Sequence, residues 1–584
     1  MSTLTSAAPV IARPPVQTAE PARLPASGRD LWVYAGAVLT GAVVIVLASI
    51  RQPYNQNELL QMAPYGSDSV GEIVSGTRQP PLDPLLGAIV QHLLGVGQMR
   101  QRLVPAIAGI CTLVLLAWLL RRVGTGVAGA AALWLLATMP LFVRYSAYTR
   151  PYALPLCLML VFVVVTHCWL TSGRRGWLLL VGLAAVALPL SRVPEPTVFL
   201  LTVIATMVVS AMRHRIEWRR AIPPAVLAAM ALLFAGVPMV WSLAESAPGL
   251  WDPHPSHVID RLPTGFEEFT QGFLPLMGRA IPFWPLTLSL VALAFIVPAS
   301  RRILATWWFF WPLTAAPIVF VLAYHFLSSV NFDTLPYRTR AAYFFAPPII
   351  LAMAALASAC WNNTLMTTWV RAGAGVAFAV TLCAQLPALH ATVSEPDVPD
   401  FGAAAALVND QVSADDIVLF DRPGPPGSYH ITFQGTSRYL ADGRSILQVT
   451  QLLRHPEKVA NGADIYLLVD GDCTGSICAP GLTTWNQRVQ GWRLVGTADV
   501  FALYAPRRTS TGRAAAADGL LALSQKLGPE VGGVAAFAAA SLQRSMGQPG
   551  RAAKTLAELY KAAGPALAKD LRADAAKRGF TPTA

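Results

Sequence analysis

The chain has 584 residues, of which 54% are hydrophobic and only 13% are charged, and its formal net charge is +12. Soluble globular proteins carry about 25% charged residues, so this composition excludes a protein that meets water over most of its surface. The positive charge comes mainly from arginines in short segments between apolar runs. That distribution is typical of membrane topology, and no nucleic-acid partner is expected.

Apolar runs dominate the chain after a polar start. The first 30 residues are rich in Pro, Ala and Ser and predict a disordered cytoplasmic tail. From residue 31 to residue 390, about eleven runs approach the ~20 residues that a membrane-spanning helix needs. They lie at 31–50, 103–120, 126–143, 153–170, 177–190, 197–212, 221–243, 282–298, 303–327, 341–360 and 372–389. The predicted fold class is therefore a polytopic α-helical membrane protein. As an alternative to two separate spans, the two shortest runs, 177–190 and 197–212, form one broken hairpin around Ser191–Pro196.

Tight arginine groups follow alternate runs and predict the orientation. They are Arg121–Arg122, Arg174–Arg175, Arg213–Arg220, Arg301–Arg302 and Arg371. Short, acid-poor loops of this kind stay in the cytoplasm, so the N-terminus is predicted to lie inside the cell. With an odd number of helices, everything after residue 390 is then predicted to lie outside. The high Ala, Arg and Pro content is typical of bacteria with GC-rich genomes. The predicted location is therefore a bacterial plasma (inner) membrane, crossed many times.

The extracytoplasmic region is predicted to have two parts. Strand-like and helix-like segments alternate over residues 391–510, which predicts a small α/β domain. The strand-like runs are 416–421, 464–470 and 492–504. Residues 511–584 are alanine-rich and predict a helical tail with a repeat-like pattern, broken at Gly528–Pro529 and at Gly547–Gly550.

Two of the seven cysteines stand outside the apolar runs. Cys473 and Cys478 belong to the polar, turn-rich segment GDCTGSIC. In an oxidising extracytoplasmic compartment such a pair forms a local disulfide. We predict that disulfide here, and two free thiols on a loop are the alternative.

The first outer loop, residues 51–102, is the most informative polar segment. It contains acids at Glu58 and Asp83 and a Pro80–Pro81 step. The amphipathic stretch 82–94 follows the prolines and predicts a helix along the membrane surface. The loop therefore brings carboxylates to the outer face of the membrane.

Six short motifs occur in order along the membrane region. They are Asn57–Glu58, Pro80–Pro81–Leu82, Arg102–Leu103–Val104–Pro105, Tyr145–Ser146, Arg150–Pro151–Tyr152, and Arg338–Tyr343 followed by Pro347–Pro348. In this order and spacing they resemble the GT-C glycosyltransferases of the protein O-mannosyltransferase and aminoarabinose transferase type. Residues 31–390 are accordingly expected to form a GT-C-like glycosyltransferase domain.

The resemblance implies that the donor is a polyprenyl-phosphate sugar and that the acceptor is an unknown glycan, lipid or protein of the cell envelope. Transfer takes place at the outer face of the lipid bilayer, with inversion at the anomeric carbon. Such a reaction needs a carboxylate that deprotonates the acceptor hydroxyl. It also needs cations that stabilise the departing phosphate, a task for which arginine is suited.

The resemblance also implies roles for residues near the outer face. Glu58 is the first choice for the catalytic base, and Asp83 is the second. The donor phosphate is expected to contact Arg150, Arg338 and Arg340. The substrate pocket is expected to include Asn57, Tyr148, Tyr152 and Tyr343.

The sequence departs from the family pattern in three places. Asn57 stands where the family has aspartate, Thr77–Arg78–Gln79 lacks the acid that precedes the prolines, and Tyr148–Thr149 replaces another acid. Because acids are lost, no cofactor is assigned, and a divalent metal is left as an open alternative.

Each assignment has a structural alternative. Glu58 can be a solvated loop acid, Asp83 can cap the helix that follows it, and the arginines can anchor helices at the membrane interface. The alternative functions are a membrane transporter or lipid flippase, and a non-catalytic family member that scaffolds envelope assembly.

Overall fold

The computed structural model describes most of the membrane region and separate parts of the C-terminal region. The described residues are 28–54, 58, 61–76, 80–239, 284–327, 342–362, 368–394, 401–413, 416–421, 446–448, 465–470, 492–498, 501–506, 512–577 and 580. The N-terminal tail predicted for residues 1–30 lies almost entirely outside them.

The membrane region is a bundle of apolar helices, as the sequence predicts. Its helices are α1 (Gly28–Arg51), α2 (Val70–Gly76), α3 (Leu82–Leu94), α4 (Gln98–Gln101), α5 (Leu103–Arg122), α6 (Gly126–Ala137), α7 (Pro140–Ser146), α8 (Ala153–Ser172), α9 (Gly176–Ser191), α10 (Pro194–Met212), α11 (Trp218–Ala231), α12 (Trp284–Ile296), α13 (Pro298–Thr306), α14 (Phe310–Leu327), α15 (Ala346–Asn362) and α16 (Thr368–Ser394). Among the described residues, seven helices are long and apolar enough to span a membrane, and nine spans result if each of two bent pairs counts as one. The polytopic fold class is therefore confirmed, while the count of eleven stays a prediction.

Proline explains the two bends. Helices α6 and α7 meet at 63°, and α12 and α13 meet at 82°. In each pair the second helix begins with proline, Pro140 or Pro298. Proline lacks the N–H that would continue the preceding helix but fits the first turn of a new one. The first of these bends brings the end of α7, with Tyr145, to the same end of the bundle as the start of α8.

The ends of the helices separate two groups of charged residues. Helix α1 ends at Arg51 and α5 begins at Leu103, so the first outer loop lies at this end of the bundle. The pair Arg121–Arg122 lies in the last turn of α5, at the opposite end. The orientation of the two ends relative to the cytoplasm stays a prediction.

The C-terminal region contains a five-stranded mixed sheet. Its elements are α17 (Phe401–Gln411), β1 (Ile417–Asp421), β2 (Ile446–Gln448), β3 (Ile465–Asp470), β4 (Trp492–Ala498) and β5 (Phe501–Pro506). The strand order is β2-β1-β3-β5-β4, in which β1 pairs in parallel with β2 and β3, and β5 pairs antiparallel with β3 and β4. The predicted mixture of helix and strand is thus present, while the domain boundaries stay predictions.

One hydrophobic cluster joins the first outer loop to this sheet. Tyr65 and Ala88 of the loop pack in the same cluster as Phe401 of α17, Leu468 of β3 and Phe501 of β5. All of these side chains are buried. The loop that carries the candidate carboxylates is therefore held between the membrane helices and the sheet.

The tail consists of three helices, α18 (Gly512–Ser545), α19 (Pro549–Ala562) and α20 (Pro565–Lys577). The predicted break at Gly528–Pro529 is wrong, because α18 continues through Pro529. The turns next to Pro529 contain glycines and no alanine, so local propensity does not explain the continuity; the packing of α18 against α19, through side chains such as Phe537 and Leu556, retains the helix despite the missing backbone donor. The predicted break near Gly547 is correct: Gly547 adopts φ 73°, a conformation open to glycine at low cost.

Candidate active site

Asp83 is a buried carboxylate at the start of α3. Its side chain is 3% exposed, and Gln61 Nε2 donates a hydrogen bond of 3.0 Å to its Oδ2. This is the one hydrogen bond that reaches the Asp83 side chain from the described residues. Asp83 is thus fixed in place but not surrounded by donors.

Local sequence explains why Asp83 lies at this point. Two prolines precede α3, whose N-cap is Pro81, and proline favours the first turn of a helix. Asp83 is the second residue of the helix, where a negative charge interacts favourably with the helix dipole. The N-cap makes no side-chain hydrogen bond, and the Asp83 carboxylate bonds to Gln61 instead of a backbone N–H of the first turn. The capping alternative is therefore not the arrangement observed.

A close backbone approach holds Gln61 over α3. Tyr65 lies one turn after Gln61, and Gly87 lies one turn after Asp83. A Cβ on Gly87 would come within 2.4 Å of two ring carbons of Tyr65, so only glycine allows this contact. The Gln61–Asp83 hydrogen bond and the Tyr65–Gly87 contact together fix the register between the two segments.

Two arginines act on Asp83 through their charge. Burial raises the pKa of Asp83 from the ordinary 3.8 to about 6, and the Gln61 hydrogen bond and the charges of Arg150 and Arg192 oppose this rise. Removal from water is the dominant effect because it disfavours the charged form of a carboxyl group. The result is a carboxyl group that ionises close to neutral pH beside two permanent cations.

Arg192 is a site residue that the sequence analysis did not assign. It ends α9 in an extended conformation and pairs with Glu195 in the first turn of α10, at 2.5 Å between Nε and Oε2. Its guanidinium carbon lies 4.6 Å from the centre of the Tyr152 ring, a cation–π distance. The sequence contained a signal for this residue: Arg192 and Glu195 are oppositely charged residues within the polar segment Ser191–Pro196, between two apolar runs. The sequence analysis interprets that segment only as the turn of a possible broken hairpin.

Aromatic side chains line the segment between α7 and α8. The Tyr145 ring centre lies 5.8 Å from that of Tyr148, 5.1 Å from that of Tyr152 and 5.5 Å from that of Tyr343. The Tyr343 hydroxyl lies 3.3 Å from that of Ser146. Three tyrosines expected in the pocket, Tyr148, Tyr152 and Tyr343, therefore meet around one further tyrosine, Tyr145.

Glu58 forms a buried ion pair with Arg102. Arg102 Nε donates to Glu58 Oε1 at 2.9 Å, and Nη2 donates to Oε2 at 2.7 Å, with both side chains fully buried. The remaining donors of the guanidinium bond to the backbone carbonyls of Ser49, Gln52 and Pro53 at 2.5–3.1 Å. All five N–H groups of Arg102 are thus used. The bonds to these carbonyls tie the start of α5 to the end of α1, where the last carbonyls have no partner within the helix.

Glu58 also holds the segment that leads to Arg150. The backbone N–H of Thr149 donates to Glu58 Oε1 at 2.7 Å, and the Thr149 hydroxyl donates to the carbonyl of Gln101 at 3.1 Å. Glu58 therefore accepts at least three hydrogen bonds, all from groups of the protein itself. Its role as catalytic base stays a prediction, but its geometry is that of a structural anchor. It is not the solvated loop acid considered as the alternative.

Several predicted residues lie outside the described residues. These are Asn57, Arg338, Arg340, Cys473 and Cys478. Their assigned roles, and the predicted disulfide, stay predictions. Within the described part of the chain, no three His, Cys, Asp or Glu side chains gather closely enough to hold a metal ion.

Two solved structures are similar to the chain over most of its length. The chain is 16% identical to ArnT from Cupriavidus metallidurans bound to undecaprenyl phosphate, over 83% of this chain and 99% of that one, with a TM-score of 0.48. It is 13% identical to the oligosaccharyltransferase of Archaeoglobus fulgidus in the apo form, over 82% of this chain and 75% of that one, with a TM-score of 0.47. No curated protein is significantly similar to the chain in sequence.

A family model matches the part of the chain that contains the site. Residues 78–241 match the model described as dolichyl-phosphate-mannose-protein mannosyltransferase. The matched stretch includes Asp83, Arg102, Arg150 and Arg192. The match confirms, over residues 78–241, the predicted resemblance to GT-C glycosyltransferases of the protein O-mannosyltransferase type.

Proposed function

We propose that the protein transfers a sugar from a polyprenyl-phosphate donor to a cell-envelope acceptor at the outer face of a bacterial inner membrane, with inversion at the anomeric carbon. The observation that carries this proposal is the buried Asp83 carboxyl group with its single hydrogen bond from Gln61 among the described residues; burial raises its pKa to about 6 against the opposing charges of Arg150 and Arg192. A carboxyl group of this kind at the end of a helix bundle is suited to proton abstraction, because a base works best when its pKa lies near the working pH.

Asp83 is the general base of the proposed reaction. Above about pH 6 its carboxylate form predominates and accepts the proton of the acceptor hydroxyl while the hydroxyl oxygen attacks the anomeric carbon. The bond from that carbon to the donor phosphate oxygen breaks, and the phosphate keeps the electron pair. Asp83 replaces Glu58 as our first choice because Glu58 is committed to Arg102 and Thr149.

Arginine side chains stabilise the phosphate that leaves. Arg150 and Arg192 both lower the pKa of Asp83 through their charge, which supports this role; Arg150 is the first choice because Arg192 is already paired with Glu195. Arginine suits the task because its guanidinium bonds to phosphate oxygens in a bidentate manner and never loses its charge. Arg338 and Arg340 keep their predicted role at the donor phosphate.

The chemistry of donor and acceptor follows from the membrane setting. The matching family is named for dolichyl-phosphate mannose and for protein as acceptor. A lipid-linked sugar reaches the outer ends of membrane helices from within the bilayer. The acceptor, an envelope glycan, lipid or protein, arrives from the aqueous side, where the sheet region is predicted to lie.

Donor consumption by the full chain in lipid nanodiscs tests the proposal. The probe is undecaprenyl-phosphate mannose with a radiolabelled sugar, offered together with a Ser/Thr peptide or with an extract of envelope glycolipids. Asp83→Asn is expected to lower turnover about 10²–10⁴-fold, as the loss of a general base does, while donor binding persists. Asp68→Asn is the matched control, because Asp68 is a fully exposed acid of the same loop.

The same assay separates the two carboxylates. If Asp83→Asn transfers sugar at the wild-type rate while folded Glu58→Gln does not, the base is Glu58 and our choice is wrong. If both variants consume donor like wild type, the loop has no catalytic role.

A further inference from the structure

Among the described residues, Gln61 donates the one hydrogen bond to the Asp83 side chain, and the oxygen of the Gln61 amide has no partner. Gln61 is 1% exposed, and its Nε2 donates to Asp83 Oδ2 at 3.0 Å. Its Oε1 is buried and finds no hydrogen-bond partner among the described residues. An unpaired buried acceptor is costly, so its position beside the proposed base requires an explanation.

The direction of the Gln61–Asp83 hydrogen bond depends on the charge of Asp83. An ionised carboxylate only accepts hydrogen bonds, so the amide must present Nε2 to it, as observed. A protonated carboxylic acid has an O–H donor, for which the matching group on the amide is Oε1. A protonated carboxyl group also keeps one carbonyl acceptor, so the observed bond is mismatched only when the proton is on Oδ2, the oxygen that Gln61 contacts. If Asp83 ends the transfer with the acceptor's proton on Oδ2, the donor and acceptor roles of the two side chains must be exchanged.

We propose that Gln61 is the positioning residue of Asp83: it donates from Nε2 to the carboxylate and, once Asp83 is protonated, turns its amide over so that Oε1 accepts from Asp83. This inference rests on the proposed function for the step that protonates Asp83. The amide keeps the carboxyl group in one place through both halves of the proton transfer. The arrangement with Nε2 on Asp83 and Oε1 unpaired among the described residues is the one that fits an ionised carboxylate.

The packing around Gln61 confines the change to the end of its side chain. The contact between the Tyr65 ring and Gly87 fixes the backbone one turn beyond Gln61 and Asp83. A rotation about the last side-chain bond exchanges Oε1 and Nε2 without moving the backbone. The two amide ends are close in size, so the turn preserves the packing.

The other charged and titratable groups of this region are few among the described residues. Arg150 and Arg192 lower the pKa of Asp83 through their charge, and Glu195 is paired with Arg192. Glu72 on α2 and His92 on α3 are exposed to solvent, and a hydrogen bond to the Ala88 carbonyl and the neighbouring Asp68 raise the pKa of His92. A histidine gives no carboxylic-acid band, so an infrared measurement separates its titration from that of Asp83, and Asp83→Asn assigns the band.

Infrared difference spectroscopy of the full chain in nanodiscs tests the proposal. The protein carries glutamine labelled with ¹³C at the side-chain carbonyl, and spectra are recorded as the pH is lowered through about 6. We expect the carbonyl band of a protonated carboxylic acid to appear, and a labelled glutamine carbonyl band to move to lower frequency with the same midpoint. Both changes should be absent in Asp83→Asn.

Variants of Gln61 separate positioning from packing. Gln61→Met should abolish the glutamine band change and raise the midpoint of Asp83 by about one pH unit, because a bond to a charged group is stronger than the neutral bond also lost. Gln61→Glu, which has the same shape, should give a carboxyl pair that takes up protons in two steps. Gln91→Met, two turns further along α3, should retain both wild-type bands and their midpoint.

An Asp83 band that titrates without any glutamine band, or a midpoint unchanged in Gln61→Met, would overturn the proposal. Failure of the proposed function has a different signature. In that case the two bands titrate together as described, yet Asp83→Asn consumes undecaprenyl-phosphate mannose at the wild-type rate.

Discussion

Replacing Asp83 by asparagine should make the protein more stable at neutral pH while removing its activity. Asparagine has almost the same shape as aspartate but carries no charge, and its amide can still bond to Gln61. In the wild type, burial raises the pKa of Asp83 from 3.8 to about 6. The folded protein therefore tolerates the charged form less well than the unfolded chain does.

The size and sign of the effect follow from that pKa. One pH unit of displacement corresponds to about 1.4 kcal/mol, so the change from 3.8 to about 6 corresponds to about 3 kcal/mol of unfolding free energy. Because the folded-state pKa lies above the unfolded-state pKa, the wild type is free of this cost below about pH 4. The cost grows between pH 4 and 6 and is constant above pH 6. Asp83→Asn should thus be more stable by about 3 kcal/mol above pH 6 and equal to wild type near pH 4.

The measurement is equilibrium unfolding of the full chain in mixed micelles, at about pH 7.5 and again near pH 4. Asp68→Asn is the control, since Asp68 is fully exposed and its neutralisation removes no burial cost. A gain at neutral pH that vanishes near pH 4 supports the reasoning, because a carboxylate that destabilises the fold is retained only for its function. If Asp83→Asn is less stable than wild type at neutral pH, the Asp83 charge stabilises the fold and our account of the site is refuted.

Three further predictions concern the frame around the site. Glu58→Gln and Arg102→Met should each lower the free energy of unfolding by about 3–5 kcal/mol, since each leaves a buried charge without its partner. In a double-mutant cycle, the double variant should lose no more unfolding free energy than either single variant, and additive losses would show that the two residues are not coupled. Gly87→Ala should displace the Tyr65 ring and lower the free energy of unfolding at every pH, because the new Cβ would overlap the ring. Adding Tyr65→Ala should remove that overlap, and chemical denaturation of the two single variants and of the double variant measures both effects. Ser510→Cys should react with a membrane-impermeant thiol reagent in intact cells, and reaction only after the membrane is broken would reverse the predicted orientation.

Much of the architecture could be predicted because it depends on local sequence. Runs of apolar residues near the length of a membrane span indicate helices wherever they occur, and Pro80–Pro81 locates the start of α3. The stop at Pro529 was predicted wrongly, because the tertiary packing of α18 overrides one proline and its neighbouring glycines.

The site was predictable only in part, because its interactions join distant positions. Glu58 and Arg102 both belong to recognised motifs, but they are 44 positions apart, and nothing in the chain between them shows that they form an ion pair. Gln61 had no local signal at all, since an amide in a polar loop looks like ordinary surface. Arg192 carried a signal, a charged residue between two apolar runs, which membrane proteins rarely retain without a function.

The two carboxylates of the first outer loop differ in what surrounds them. Glu58 accepts hydrogen bonds from a bidentate arginine and a backbone N–H, all of them parts of the fold. Asp83 accepts one hydrogen bond, from Gln61, among the described residues, while its arginines act from further away. Because Glu58 already accepts these bonds, few of its lone pairs remain for the hydrogen bond from an acceptor hydroxyl. Protonation of Glu58 would also break its ion pair with Arg102. Asp83 can take up the proton without breaking an ion pair, and for this reason the chemistry of the loop is better placed at Asp83 than at Glu58.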